Sequence, residues 1–300
     1  MTDPVMSPQA RIEWIAPARD LRDFVNTLFV FSVGEGRAES MMPAYSAQLF
    51  AFARGRAEVL HAGGTVGQSG DIVCNAPLMR AAPLTIEGPL TSIGASFTPL
   101  GWAMVSELPV DEVHDATLAA DRVFSPSHLL QLETALAELR AGRADERALC
   151  QAIEAVLRDL ARHSRIVRQE DHRALLGAIE AWLGSSFNPP VAELYGRADI
   201  SQRQIQRLCK RYFGVPPAQL VKRHRAIRAA MVLAHDDLPG DLRDHAIAAY
   251  FDQAHLIRDM RRFTGLTPKQ LQADPLARAL LDPEGHGRHG EVVRWRRKDA

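Results

Sequence analysis

The order of apolar and polar positions divides the chain into a strand-rich front part and a helical remainder. Between about Leu28 and Thr98, short runs rich in β-branched and aromatic residues, such as LFVFSV, QLFAFA and DIVCN, alternate with segments rich in Gly and Pro. Short strands separated by frequent turn signals are typical of an antiparallel barrel or sandwich. We therefore expect a β-rich N-terminal region, preceded by a short amphipathic helix over Asp20 to Thr27.

Two amphipathic helices are predicted behind the strands, within residues 127–163. Their apolar residues recur at intervals of three and four, which is the helical period. The sequence Ala-Gly-Arg at 141–143 predicts a tight turn between them, so the pair forms an antiparallel hairpin. The apolar stripes either cover the barrel or form a dimerisation surface. The polar segment 164–171 is the predicted linker.

The back half contains a pattern that favours a nucleic-acid-binding helix. Ser201 and Gln204 form the S-x-x-Q pattern of a capping box, which fixes where this helix starts, and Asp199 lies in the turn before it. Long hydrogen-bond donors occupy the N-terminal part of the helix, where a recognition helix contacts base edges in the major groove. Such a stripe is also expected on an ordinary solvated helix. The donors are Arg203, Gln206, Arg207 and Lys210, and the residues that can face inward are Ile205, Leu208 and Tyr212.

The same unit is repeated about 51 residues later. RYFGVPPAQL at 211–220 is paralleled by RFTGLTPKQL at 262–271. A helix of about 27 Å connects the two copies, at 1.5 Å per residue. Two reading helices joined in this way can enter successive major grooves about 34 Å apart. The connecting helix has its apolar stripe at Leu220, Ile227, Met231 and Ala234, opposite Lys222, Arg223 and Arg225.

Residues 171–274 resemble the DNA-binding region of the AraC/XylS family of bacterial transcription regulators. The strongest pieces are SQRQIQRLCKRYFGVPP and DQAHLIRDMRRFTGLTPKQL. The resemblance implies an all-α domain with two helix-turn-helix units joined by a long helix. It also implies base-facing residues, which are Arg203, Gln206 and Arg207 in the first unit and Gln253, Ala254, His255, Ile257 and Arg258 in the second.

The front half is similar, more loosely, to the cupin-like sensor domain of such regulators. The expected fold class is therefore α+β: a cupin-like antiparallel β-barrel with a helical hairpin over residues 1–165, the double helix-turn-helix domain over 171–274, and a flexible tail over 275–300. The expected function is that of a sequence-specific, effector-responsive transcription regulator. Its expected partners are double-stranded DNA, a small-molecule effector, a second copy bound through residues 127–163, and RNA polymerase.

The sequence departs from the family pattern at two positions, and two site residues have alternative roles. Ala248-Ala249-Tyr250 offers no glycine where the second turn usually has one, which predicts strain of about 1–3 kcal/mol and a distorted second unit. Cys209 replaces a bulky aromatic residue.

His255 either reaches a base or lies half-buried. Arg258 either contacts DNA or pairs with a carboxylate of the connecting helix or of Asp236-Asp237.

Composition and charge narrow the class of protein. Three hundred residues, 46% hydrophobic and 24% charged, suffice for about two folded domains and exclude a mainly disordered chain. The net charge of zero conceals an asymmetry. Residues 1–170 carry −6, with 15 Arg and 21 Asp or Glu, whereas 171–275 carry +4 and 276–300 carry +2. Only the back half is therefore expected to meet a polyanion.

Other signals favour a cytoplasmic protein without a catalytic or metal site. No apolar run reaches the roughly 18 residues of a membrane span, and the N-terminus lacks the pattern of a signal peptide. Cys74, Cys150 and Cys209 lie far apart, so we expect reduced thiols. His61 is the only histidine among the predicted strands, so we expect no metal, no cofactor and no enzyme activity. In the tail, His286 and His289 are expected to be solvated, as are Arg294, Arg296, Arg297 and Lys298.

Overall fold

The computed structural model describes residues 9–62, 64–67, 70–197, 200–235 and 240–286. Within these ranges an antiparallel sheet comes first and helices follow. The expected α+β fold class is confirmed.

The N-terminal region is built on one antiparallel sheet. Its strand order is β1-β2-β6-β3-β5-β7, and β4 pairs with β3. No pairing between β1 and β7 is present in the described ranges, so the sheet is not closed into the predicted barrel. The strands are β1 (Ala10–Ile15), β2 (Val25–Met42), β3 (Gln48–Leu60), β4 (Val66–Gly67), β5 (Ile72–Asn75), β6 (Ala82–Phe97) and β7 (Thr117–Ala119).

The long strands bend, which lets the open sheet curl. The pairing of β2 with β6 shifts register between Val33 and Gly36, and that of β3 with β6 shifts around Arg54. Such irregularities bend a strand and increase its twist. As a result, residues from all seven strands line a single cavity. The predicted helix over Asp20 to Thr27 is wrong, because only a 3₁₀ turn at Arg19–Leu21 forms and β2 begins at Val25.

The predicted helical hairpin is present and packs on the sheet. Gly142, with φ +68°, lies in the turn between its two helices. Leu132 and Leu136 of the first helix are buried, as are Leu149 and Ile153 of the second. The helices of this part are α1 (Pro99–Ser106), α2 (Val110–Val113), α3 (Pro126–Arg140), α4 (Glu146–His163) and α5 (Arg165–Arg168).

The rest of the described chain is helical and carries the repeat. The second copy follows the first at an offset of 51 residues. This offset separates the bounds of the two reading helices, and it also separates the prolines that begin the helices after them. The helices are α6 (Glu170–Gly184), α7 (Val191–Arg197), α8 (Gln202–Phe213), α9 (Pro217–Ala234), α10 (Gly240–Ala248), α11 (Gln253–Thr264), α12 (Pro268–Ala273) and α13 (Pro275–Leu280).

Two segments expected to be irregular are structured. Within 164–171, α5 forms a helical turn and α6 starts at Glu170. The tail was predicted to be flexible from residue 275, yet α13 and a 3₁₀ turn at Pro283–His286 are packed into the molecule. Leu276, Leu280 and Leu281 are buried, which explains the order of this segment. Residues 287–300, with the predicted tail arginines and His289, lie outside the described ranges.

The connecting helix α9 is buried on almost every side. Its predicted stripe is buried, but Arg223 and Arg225 are buried as well, at 8% and 6% exposure, and only Lys222 is exposed. The face that the sequence places opposite the apolar stripe is therefore largely buried too. Both guanidinium groups find partners in neighbouring elements instead, and these contacts position the site.

Candidate nucleic-acid interface

Helix α8 is the first candidate reading helix, and local signals set both of its ends. The Ser201 Oγ accepts a hydrogen bond from the N–H of Gln204 at 3.3 Å, while the Gln204 side chain accepts one from the N–H of Ser201 at 3.1 Å. This is the capping box that the sequence predicts. Gly214 ends the helix in the left-handed conformation, with φ +79°. Asp199, predicted in the preceding turn, lies outside the described residues.

The structure brings the four predicted donors of α8 onto one exposed face. Ile205, Leu208 and Tyr212 are buried, so the opposite face of the helix points to solvent. The Gln206 amide donates to the hydroxyl of Tyr195 on α7 at 3.2 Å, which joins the two helices of the unit. The exposed donors are Arg203, Gln206, Arg207 and Lys210.

Helix α11 is the second candidate reading helix. The Asp252 carboxylate accepts a hydrogen bond from the N–H of His255 at 2.6 Å and caps the helix, which ends at Gly265 with φ +78°. The strain predicted for the glycine-free turn is absent, because Ala248, Ala249 and Tyr250 all lack a positive φ. The second unit therefore forms its turn without the left-handed residue.

The predicted residues of α11 differ in exposure. Gln253, Ala254 and Arg258 are exposed, whereas His255 and Ile257 are half-buried. The His255 ring lies between protein groups, with Nε2 3.1 Å from a guanidinium nitrogen of Arg225. His255 is therefore half-buried in this structure, and its contact with a base stays a prediction.

A buried ion pair that sequence reasoning missed fixes α11 on the connecting helix. The Arg225 Nη2 lies 2.6 Å from Asp259 Oδ2, and the guanidinium stacks 4.3 Å above the Tyr250 ring. Arg258, for which the sequence allows a pair with a carboxylate of this helix, is exposed, and the neighbouring Asp259 pairs with Arg225 instead. Asp236 and Asp237 lie outside the described residues. The signal was available, since Asp259 interrupts the apolar face of α11.

The N-terminal region holds the C-terminal ends of both reading helices. A Cβ placed on Gly214 would lie 3.0 Å from side-chain atoms of Met79 and Val110, and one on Gly265 would lie 2.5 Å from Met41. Backbone hydrogen bonds add to the second contact, from Ala44 N to Phe263 O at 2.7 Å and from Ala81 N to Arg262 O at 3.0 Å. The N-terminal ends, which carry the predicted contact residues, are left facing solvent.

The curled sheet encloses a second candidate site, an apolar cavity. At one place in its wall, Thr117 Oγ1 donates to Asn75 Oδ1 at 2.8 Å and lies 2.8 Å from His61 Nε2. The Ser92 hydroxyl is fully buried without a partner in the described chain, and so is His61 Nδ1. Burial lowers the pKa of His61, which keeps the ring neutral. Aromatic residues dominate the wall: Trp14, Phe29, Phe31, Phe50 and Phe52.

Further features of the described residues concern metal ligands, membrane spans, His286 and the cysteines. No group of three or more His, Cys, Asp or Glu side chains is placed to hold a metal ion in these ranges. None of the described helices is long and apolar enough to cross a membrane. His286, expected in a solvated tail, is buried against the Tyr45 ring, with centroids 4.2 Å apart. All three cysteines are buried free thiols.

Two solved structures and one family model are similar to this chain or to part of it. Two solved structures show limited likeness across the chain. ToxT from Vibrio cholerae O395 has 9% identity and a TM-score of 0.47, covering 89% of this chain and 97% of that one. The AraC-like transcriptional activator CuxR has 14% identity and a TM-score of 0.35, covering 74% and 81%. The comparison with curated proteins found no match. The model of a helix-turn-helix domain matches residues 194–274, so this region is a helix-turn-helix domain of the AraC type.

Proposed function

We propose that the chain is a sequence-specific DNA-binding transcription regulator that reads two half-sites with α8 and α11. The observation that carries this proposal is the exposed row of Arg203, Gln206, Arg207 and Lys210 at the start of a capped helix. Arginine can bond both acceptors of guanine, and glutamine can bond adenine in the same bidentate way. A row of such donors on a helix-turn-helix unit suits direct readout of the major groove.

The second unit is suited to a different kind of contact. At the 51-residue offset, Ala254 and Ile257 occupy the places of Arg203 and Gln206, whereas Arg258 repeats Arg207 and Arg261 keeps the positive charge of Lys210. Small and apolar side chains recognise the methyl group of thymine. We therefore propose that the first half-site is read mainly by hydrogen bonds and the second mainly through thymine methyl groups, with Arg258 as the one arginine that contacts a base.

The test is selection of bound sequences from a library of random-sequence duplexes. We expect a bipartite sequence whose halves are about one helical turn apart. Arg207→Ala should weaken binding to that sequence by about 1–3 kcal/mol and relax one base position. Arg147→Ala is the matched control, because Arg147 is exposed on α4, in the N-terminal region. An Arg207→Ala protein that selects the same sequence with unchanged affinity removes Arg207 from the site.

We also propose that the N-terminal cavity binds an apolar small molecule with one hydrogen-bonding group. The aromatic wall suits an apolar body, and the unpartnered hydroxyl of Ser92, which lines the cavity, can take a single polar group. Binding of the neutral fluorescent probe N-phenylnaphthylamine tests the site. Ala57→Phe should abolish binding, because Ala57 lines the cavity, whereas Ala137→Phe on the exposed face of α3 should not. Equal binding to both variants would place the probe elsewhere.

We also propose that the chain forms a homodimer through residues 127–163. The apolar stripes of the hairpin are turned toward the sheet, which leaves Leu130, 64% exposed, as its large apolar residue on the outside. Leu130→Asp should therefore shift the chain toward monomer in sedimentation analysis. An unchanged sedimentation coefficient at every concentration would exclude this face. RNA polymerase stays a predicted partner.

A further inference from the structure

The segment that follows the second unit lies between that unit and the sheet. We name residues 275–286 the C-terminal strap. Its helix α13 has two apolar faces. Leu276 and Leu280 pack in the cluster formed by the sheet residues around the cavity. Ala277 and Leu281 pack in the cluster of α9, α11 and α12. A six-residue helix therefore connects the cavity to the second reading unit.

Further contacts hold the end of the strap on the sheet. The Tyr45 hydroxyl donates to the Gly285 carbonyl at 3.0 Å, and the His286 ring lies against the Tyr45 ring. Gly285 approaches Trp14 so closely that an added Cβ would lie 2.6 Å from the indole ring. Trp14 itself lines the cavity. The strap thus rests directly on a wall of the candidate effector site.

Leu280 is itself part of that wall. Every other residue that lines the cavity in the described chain lies in a strand, whereas Leu280 lies in α13. With Leu280 in place the cavity volume is about 50 Å³. An apolar cavity known to bind benzene has a volume of about 150 Å³. A ligand with an aromatic ring therefore needs a wall to move. The strands are held by ladders of hydrogen bonds, so a six-residue helix that lies outside those ladders opens at the lowest cost.

We propose that the C-terminal strap is a movable wall of the N-terminal cavity, which an apolar ligand displaces, loosening the second reading unit from the N-terminal region. The inference rests on the effector site proposed above. Coupling follows from the connection between α12 and α13. Asp274 alone separates them, and its carboxylate caps α13 while accepting a hydrogen bond from Ser40 on β2 at 2.7 Å. Withdrawal of the strap breaks this contact between the second unit and the sheet.

Hydrogen exchange of the full chain, with and without N-phenylnaphthylamine, tests the proposal. Saturating probe should speed amide exchange in residues 275–286. Gly285→Ala should loosen the strap about 10-fold, because its Cβ overlaps Trp14. When a site is open in only a fraction of the molecules, its apparent affinity for a ligand is reduced in proportion to that fraction. The fold loss of protection in the variant should therefore equal its fold gain in probe affinity. Leu280→Asp, which disfavours the buried position of the strap helix, should act in the same direction.

The controls separate the strap from the cavity. Gly177→Ala is the matched glycine substitution, since an added Cβ there meets nothing within 4 Å, and it should change neither measurement. Val59→Ala enlarges the cavity from the sheet side and should leave exchange of the ligand-free strap unchanged. Probe binding without faster strap exchange overturns the strap proposal and leaves the effector site standing. Failure of the probe to bind the wild type, Gly285→Ala and Leu280→Asp alike overturns both.

Discussion

Asp259→Asn perturbs the buried contact that holds the second reading helix. The Arg225 and Asp259 side chains are 7% and 11% exposed and lie 2.6 Å apart. Removing one member of a buried pair leaves an uncompensated charge and typically costs about 3–5 kcal/mol. Arg225 keeps its position over the Tyr250 ring in the variant, which offsets part of this cost. We therefore expect about 3 kcal/mol, equivalent to about a 100-fold rise in local opening.

Native-state hydrogen exchange of α11 measures this loss. It reports opening of the second unit alone, which an unfolding transition of the whole chain does not resolve. Asp244→Asn serves as the control, because Asp244 is exposed on α10 of the same unit. Replacing Arg225 and Asp259 together by Met and Leu should recover most of the protection, since no unpaired charge remains. Exchange of α11 in Asp259→Asn within threefold of the wild type would refute the reasoning.

Two further predictions concern backbone and charge. Gly265→Ala places a side chain at φ +78° and against Met41, so unfolding by urea should show a loss of roughly 1–2 kcal/mol that Gly177→Ala does not share. Burial raises the pKa of Asp115, but hydrogen bonds from His114 and a backbone N–H outweigh it and hold this pKa below its ordinary value. Its stabilising contribution is thus complete above the unfolded pKa of about 3.9 and is lost as the pH falls through the lower folded value. The stability difference between the wild type and Asp115→Asn should shrink in urea titrations below about pH 4. A constant difference would contradict this assignment.

The repeat could be predicted from the sequence because its signals are local. Ser201 with Gln204 sets the start of α8, and Gly214 and Gly265 end the two reading helices in the same conformation. Each signal acts within one helical turn and needs no distant partner. The exposure of the α8 donors then follows from the buried residues at helical spacing on the opposite face.

Contacts with distant partners could not be predicted in the same way. Arg223 and Arg225 have the spacing of a solvated face, and only the packing of α9 against other elements shows that they are buried. The strap had a weak signal in the spacing of Leu276 and Leu280, which is four, but the polar residues that follow obscured it. The open sheet, in place of the expected barrel, could not be predicted either. The order of strand pairing, which places β7 beside β5, depends on contacts across the whole sheet.

The burial of Arg223 shows how the first unit is joined to the N-terminal region. Its guanidinium donates to the Leu78 carbonyl at 3.4 Å, and burial lowers its pKa to about 10. The group therefore stays protonated at neutral pH, and its desolvation opposes docking. The unit remains docked because the residues of α8 share one apolar cluster with the sheet and the hairpin.

The second unit is attached much less extensively, which makes it the unit that can move. Its apolar cluster includes only one residue of the N-terminal region among those described, Ala44. Helix α9 joins the two clusters, with Leu220 and Val221 in the first and residues 226–234 in the second. Helix α9 is buried in both apolar clusters, so it stays in place. The contacts of the second unit that can break at low cost are therefore the backbone hydrogen bonds to Phe263 and Arg262 and the packing of the strap. On the strap proposal, a change in the cavity therefore acts first on the contacts of α11 with the N-terminal region, while α8 stays fixed to the sheet.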